Sequence, residues 1–164
     1  HEWERVEKPY PGLPQKYLLV YTLAKVDETL AFARQIGLKF GLPVVQICNT
    51  RGLKKKSKKN VDFNLMDASP QQFLWLFHHA SFIVTNTFHG NMFSVIFRKS
   101  FVHYDVNGND SRINTLHEAI GLKKSRMIKN VDSLKECEIR YHMIESQIEA
   151  YANKGIQYIK NNLN

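Results

Sequence analysis

Along the chain, short apolar runs alternate with longer stretches in which apolar residues recur at helical spacing. Tyr17-Leu-Leu-Val-Tyr21 is the first run, and its length suits a buried strand. Asp27 can cap the helix that follows, where Leu30, Ala33, Ile36, Gly37 and Phe40 share a face. Gly41 and Pro43 close it, because glycine tolerates a left-handed end and proline cannot extend the ladder. Val44-Val45-Gln46-Ile47 is the second strand. Ser69-Pro70-Gln71-Gln72 supplies an N-cap, a proline at the first helical position and a glutamine for a capping box. Phe73, Leu76, Phe77 and Ala80 mark the face of that helix, and Ser81-Phe-Ile-Val-Thr85 returns as a strand. Thr87 begins a helix running through Phe97, and Phe101-Val102-His103-Tyr104 is a further strand. Asp110 or Ser111 caps a helix through Ile113, Leu116 and Ile120 that ends at Gly121. From Asp132 to about Ile159 the pattern predicts mostly helix, since Leu134, Cys137, Tyr141, Ile144, Ile148 and Tyr151 recur three and four apart.

Strand and helix alternate four or five times, which predicts an α/β fold: a mostly parallel sheet with helices on both faces. Residues 1–16, with Pro9, Pro11, Gly12 and Pro14, read as a linker or irregular arm. Residues 17–164 read as one unit ending in a long helix. No stretch approaches the roughly 20 consecutive apolar residues of a membrane span. The opening, His1 to Glu7, is charged and polar and carries no signal-peptide pattern.

A net charge of +8 suits anionic partners, whether nucleic acid, an acidic membrane surface, a phosphorylated substrate or an acidic polysaccharide. Six of the nine residues from Arg51 to Lys59 are basic, a run that reads as a solvated loop or as a contact for anionic lipid head groups or charged glycan. Cys48 and Cys137 stand far apart without ligand-like neighbours, as the reduced thiols of a cytoplasmic protein do.

Ile83-Val-Thr-Asn-Thr-Phe-His-Gly90 is the most informative segment, because an apolar strand runs into Asn86, Thr87, His89 and Gly90 and a helix begins at once. Ligands of open parallel sheets bind outside the carboxyl ends of strands, where helix N-termini offer amide protons and a positive dipole end. Gly90 would leave the backbone unshielded there, and His89 would stand at the edge of such a site. Common scaffolding, with Thr87 as an ordinary N-cap, explains the same residues. Asn107-Gly-Asn-Asp-Ser-Arg112 follows another strand and opens another helix, so it lies on the same sheet edge. Arg112 there can make a bidentate contact with a carboxylate or phosphate, or can be solvated or paired with Asp110. His78 and His79 are adjacent at a helix end, without the i, i+4 spacing of a metal site on one helix face, and no metal site is expected. His103, in a strand beside Tyr104, reads as structural. No phosphate-binding P-loop, dinucleotide fingerprint, nucleophile elbow or His-Glu-x-x-His motif occurs, which removes support from kinase, dehydrogenase and serine-hydrolase readings.

Ala68-Ser-Pro-Gln-Gln-Phe-Leu-Trp-Leu-Phe77, Ala80 to Gly90, Phe93-Ser-Val-Ile-Phe97 and Asn109-Asp-Ser-Arg-Ile113 together resemble the polysaccharide pyruvyltransferase family. The Thr-Phe-His-Gly element followed by Ser-Arg carries most of the likeness, which extends from about Tyr17 to Arg126. The resemblance implies a Rossmann-like C-terminal lobe of a two-lobed enzyme similar to GT-B glycosyltransferases, with a partner N-terminal lobe that has no counterpart in this sequence. It implies transfer of pyruvate from phosphoenolpyruvate to two sugar hydroxyls as a ketal, with no cofactor and no metal. In that chemistry His89 matches the motif histidine and would act as acid or hold the departing phosphate, and Arg112 would neutralise donor charge. Asn86, Thr87, Gly90 and Ser111 would complete the donor site. The acceptor would be a saccharide or lipid-linked oligosaccharide, and the location cytoplasmic, at or near the anionic inner face of the membrane.

Two rivals remain open at this point. One is a GT-B lobe that binds a nucleotide sugar in preference to phosphoenolpyruvate. The other is a non-enzymatic basic module for anionic glycan or nucleic acid, although no aromatic residues interleave with the Arg51–Lys59 run and specific nucleic-acid binding is not expected.

Overall fold

The computed structural model describes residues 2–48, 59–104, 111–122, 126–134 and 138–163. In chain order they form β1 (Leu18–Tyr21), α1 (Val26–Phe40), β2 (Val44–Ile47), β3 (Phe63–Leu65), α2 (Pro70–His79), β4 (Phe82–Thr85), α3 (Phe88–Ile96), β5 (Phe101–Tyr104), α4 (Ser111–Ala119), β6 (Met127–Ile128) and α5 (Glu145–Asn162). The strands lie in one sheet, in the order β3-β2-β1-β4-β5-β6, and every neighbouring pair is parallel. This is the strand order of a doubly wound, Rossmann-like sheet.

The order explains why both faces are covered. The chain builds outward from β1 to β3, then restarts on the far side of β1 with β4. Right-handed crossovers therefore put helices on opposite faces before and after the restart. On one face α1 buries Leu30, Phe32, Ala33 and Ile36 against Leu18, Val20, Val44, Val84 and Val102. On the other, α2, α3 and α4 bury Leu76, Phe77, Val95 and Leu116, with Ile120 just past the end of α4, against Leu19, Val45, Ile83 and Phe101. Strands covered on both sides have no solvent face, so they read as unbroken apolar runs. The expected α/β sheet with helices on both faces is the fold the chain adopts.

Local chemistry sets the helix ends. Ser69 and Gln72 form the capping box, with Gln72 N–H donating to Ser69 Oγ at 3.2 Å and Ser69 N–H to Gln72 Oε1 at 3.0 Å. Gly41 closes α1 in the left-handed conformation, φ 64°, and donates its N–H to Gly37 O. Asp27 does not cap α1. The N-cap is Lys25, itself left-handed, while Asp27 sits in the first turn, where a negative charge suits the dipole.

Residues 2–16 are irregular apart from one 3₁₀ turn, Glu2–Arg5, and the segment is docked along α2. Lys8 N–H donates to Gln71 O at 3.1 Å, Tyr10 Oη donates to Asp67 Oδ1 at 2.9 Å, and Tyr10 and Leu13 pack on the core. The C-terminal helix is shorter than its apolar spacing predicts. Leu134 and Tyr141 reach the core from or beside 3₁₀ turns at Val131–Ser133 and Tyr141–Met143, and α5 begins only at Glu145. Arg98 fastens that helix: its guanidinium pairs with Glu145 in the first turn, Nε donating to Oε2 at 3.1 Å. Cys48 is a half-buried thiol that donates to Asn64 Oδ1, whereas Cys137, most of the Arg51–Lys59 run and Asn107 to Asp110 lie outside the described residues.

Candidate functional site

The carboxyl ends of β4 and β5 deliver the N-termini of α3 and α4 to the same edge of the sheet. Between these first turns lies a cleft of about 400 Å³ lined by Phe88, Ser111, Arg112, Thr115 and Tyr151. Phe88 and Tyr151 give it apolar walls, while Ser111, Arg112 and Thr115 come from successive turns of α4. The amides of Phe88 and His89, the first two of α3, have no intrahelical acceptor. Two positive dipole ends and a guanidinium thus bear on one opening, an arrangement suited to an anion with an apolar portion.

The structure divides the sequence candidates into two groups. Ser111 and Arg112 line the cleft, and His89 stands exposed beside Phe88, off its wall. Asn86, Thr87 and Gly90 instead build the turn. Asn86 Oδ1 accepts from Thr22 Oγ1 at 2.8 Å and from Leu23 N–H at 3.4 Å, while its Nδ2 donates to Ala24 O at 2.6 Å and Thr29 Oγ1 at 3.3 Å. That amide stitches β4 to the β1–α1 loop across the point where strand order reverses. Thr87 caps α3: its Oγ1 accepts from Gly90 N–H at 2.9 Å and bonds Thr85 Oγ1 at 3.1 Å. The expectation that Gly90 bares its backbone to a ligand is not met. Its N–H is committed to Thr87, and a Cβ at this position would lie 2.1 Å from Thr85 Oγ1 and 2.7 Å from Thr85 Cβ. Gly90 is a glycine because α3 presses directly on β4.

Behind the cleft is a buried polar network that joins the elements forming it. Asn91, 0% exposed, donates from Nδ2 to Thr87 O at 2.7 Å and to His103 Nδ1 at 2.9 Å, and its Oδ1 receives His117 Nε2–H at 2.9 Å. The Thr87 carbonyl can only accept, which orients the amide and thereby both rings: His103 Nδ1 is an acceptor and His117 carries its proton on Nε2. One side chain so ties α3 to β5 and α4. His117 is 2% exposed, its Nδ1 has no hydrogen-bond partner, and its ring packs edge-on against Phe101.

This burial, with the fields of His103 and Arg126, pushes the His117 pKa down to about 4. The unfolded chain takes up a proton near pH 6.5 that the native state refuses until about pH 4. Stability from this group is therefore complete above pH 6.5 and is lost as pH falls to about 4, to the extent of roughly 2–3 kcal/mol. Urea unfolding across that range should show the slope, and His117→Gln, which keeps a donor for Asn91, should flatten it.

Of these residues, Phe88, Thr115, Tyr151, Asn91 and His117 escape sequence reasoning. Asn91 and His117 do leave a signal, since both are polar residues inside segments whose neighbours are core. No helix among the described residues is long and apolar enough to cross a membrane.

None of the curated proteins matches the chain. Among solved structures it is similar to UDP-GlcNAc 2-epimerase from Methanocaldococcus jannaschii in complex with UDP-GlcNAc and UDP, at 13% identity and TM-score 0.56, over 81% of this chain and 38% of that one. A second structure of the same enzyme gives 14% identity and TM-score 0.57, over 83% and 41%. The likeness is one of fold, and the chain spans well under half the length of these enzymes. The family model described as polysaccharide pyruvyl transferase matches residues 2–108, from the docked arm through β5 and including the Thr87–Gly90 turn. By that match over most of its length, the chain belongs to the polysaccharide pyruvyl transferase family.

Proposed function

We propose that this chain is the donor-binding lobe of an enzyme that transfers pyruvate from phosphoenolpyruvate to two hydroxyls of a saccharide, forming a ketal and releasing phosphate. The observation that carries the reading is the cleft at the first turns of α3 and α4, with Arg112 on its wall. Phosphoenolpyruvate offers a phosphate and a carboxylate on a three-carbon frame, which suits helix N-termini and a planar guanidinium on either side of an apolar wall.

The reaction needs a proton on the donor's methylene carbon, two C–O bonds to C2 and loss of the C2–O bond to phosphate. The two hydroxyl protons released balance the one taken by carbon and the one carried off with phosphate. His89, exposed beside the cleft, is the group assigned to deliver the proton or to hold the departing phosphate. Arg112 and Ser111 hold the donor anion, and Thr87, Asn86 and Gly90 act by fixing the turn that presents His89. No cofactor or metal takes part. A second, N-terminal lobe supplies the acceptor side, and the acceptor is a saccharide or lipid-linked oligosaccharide. The site of action is cytoplasmic, against the inner membrane face.

Calorimetric titration of phosphoenolpyruvate into the protein, with uridine diphosphate as control, tests the reading. Arg112→Ala should weaken donor binding by roughly tenfold or more, the scale of a charge-assisted hydrogen bond. Preference for the nucleotide would instead favour a nucleotide-sugar transferase, the reading that the fold likeness to a UDP-GlcNAc enzyme supports. His89→Ala, assayed with acceptor and second lobe present, should lower phosphoenolpyruvate-dependent phosphate release by roughly 10²-fold. Unchanged turnover in that variant would remove His89 from the chemistry.

A further inference from the structure

Adjacent histidines near the end of one helix do not by themselves chelate a metal, but here the arm brings a third donor to them. We propose that Glu7, His78 and His79 form a site for a divalent metal of the zinc type that fastens the arm to the end of α2. One ligand atom from each residue lies within 4.8 Å of the other two. A tetrahedral zinc with donors at about 2.0–2.2 Å holds them roughly 3.4 Å apart, so a modest contraction closes the site. Glu7 and His78 are already at that spacing, with His78 Nδ1 at 3.1 Å and 3.3 Å from the two carboxylate oxygens.

The surroundings match what metal-bound imidazoles require. His79 Nδ1–H donates to Trp75 O at 3.0 Å, which leaves the Nε2 lone pair for a metal. With a metal on Nδ1, His78 would point Nε2–H toward Glu4, whose carboxylate lies 3.9 Å away. His79 stacks on Trp75 (4.4 Å, 18°) and His78 on Phe97 (5.0 Å, 16°), so both rings are held before any ion binds. The half-buried Lys99, whose pKa is lowered by burial, also feels the opposing charge of Glu7. The cluster sits where α2 ends and β4 begins, at the sheet edge opposite the cleft. Its role is thus to clip the arm, and it stands whatever the donor substrate is.

Metal-stripped protein, free of any affinity tag, is titrated with Zn²⁺ at pH 7.5 by calorimetry, and with Co²⁺ to read visible absorption. One ion per chain should bind and raise Tm by several degrees through linkage. Glu7→Gln and His79→Ala should each weaken binding by roughly tenfold or more, with near-ultraviolet circular dichroism of the metal-free proteins unchanged. His79 is exposed, so its loss leaves the fold intact. Absence of saturable one-to-one binding, or binding that persists undiminished in both variants, would overturn the site and leave His78 as a hydrogen-bond partner of Glu7 alone.

Discussion

Replacing Asn91 by alanine is expected to cost about 4 kcal/mol of unfolding free energy, read as a lower urea midpoint at unchanged slope. The side chain is fully buried and its amide is hydrogen-bonded at both ends. Truncation leaves His117 Nε2–H and His103 Nδ1 buried and without this partner, in a site already holding one unpartnered nitrogen, His117 Nδ1. Each buried orphan costs about 1–3 kcal/mol, and the cavity adds to it. Asn91→Asp should be at least as damaging, because it replaces the donor to Thr87 O and His103 Nδ1 by an acceptor. Since Asn91 joins α3, β5 and α4, the same variants should loosen the cleft and weaken anion binding. A stability loss under 1 kcal/mol would contradict the network.

Gly90→Ala is expected to destabilise by more than about 3 kcal/mol, or to prevent folding. The new methyl would meet Thr85 Oγ1 at 2.1 Å and Thr85 Cβ at 2.7 Å, both on a fully buried strand residue. Thr85 cannot swing away cheaply, because its hydroxyl donates to Tyr21 O at 2.7 Å and bonds Thr87 Oγ1. Thr85→Ala combined with Gly90→Ala would relieve only the oxygen overlap and should rescue in part. By contrast, Gly12→Ala would find open space, with only its positive φ of 80° to strain, and should cost far less. If thermal melts show Gly90→Ala to be as mild as Gly12→Ala, α3 does not press on β4 as described.

The sheet's four inner strands were legible because each is an apolar run bounded by turn residues, and Ser69 to Gln72 declared the start of α2 outright. The edges were not. β3 is three residues with Asn64 at its centre and β6 is two, too short to show any period. Between Asp132 and Ile144, spacing of three and four arose from separate returns to the core by Leu134 and Tyr141, which 3₁₀ turns produce as readily as a helix. Ser111 and Arg112, singled out by their place after a strand's carboxyl end, do border the cleft. Gly90 was misread because a small residue in a first helical turn looks the same whether its bare side meets a ligand or Thr85. Phe88, Thr115 and Tyr151 share a wall only once α4 and α5 are packed, a tertiary fact without a local signature. Glu7 and His78 are likewise 71 residues apart and meet only through the docked arm.

In the function proposed above, the donor anion sits between the first turns of α3 and α4. Amide chemical-shift mapping of the isotope-labelled protein, titrated with phosphoenolpyruvate, tests it most directly. The largest saturable shifts are expected at Phe88, His89, Ser111, Arg112 and Thr115, abolished by Arg112→Ala while the rest of the spectrum stays put. Saturable shifts centred instead on the β1–α1 loop, Thr22 to Lys25, with those five amides unmoved, would contradict it.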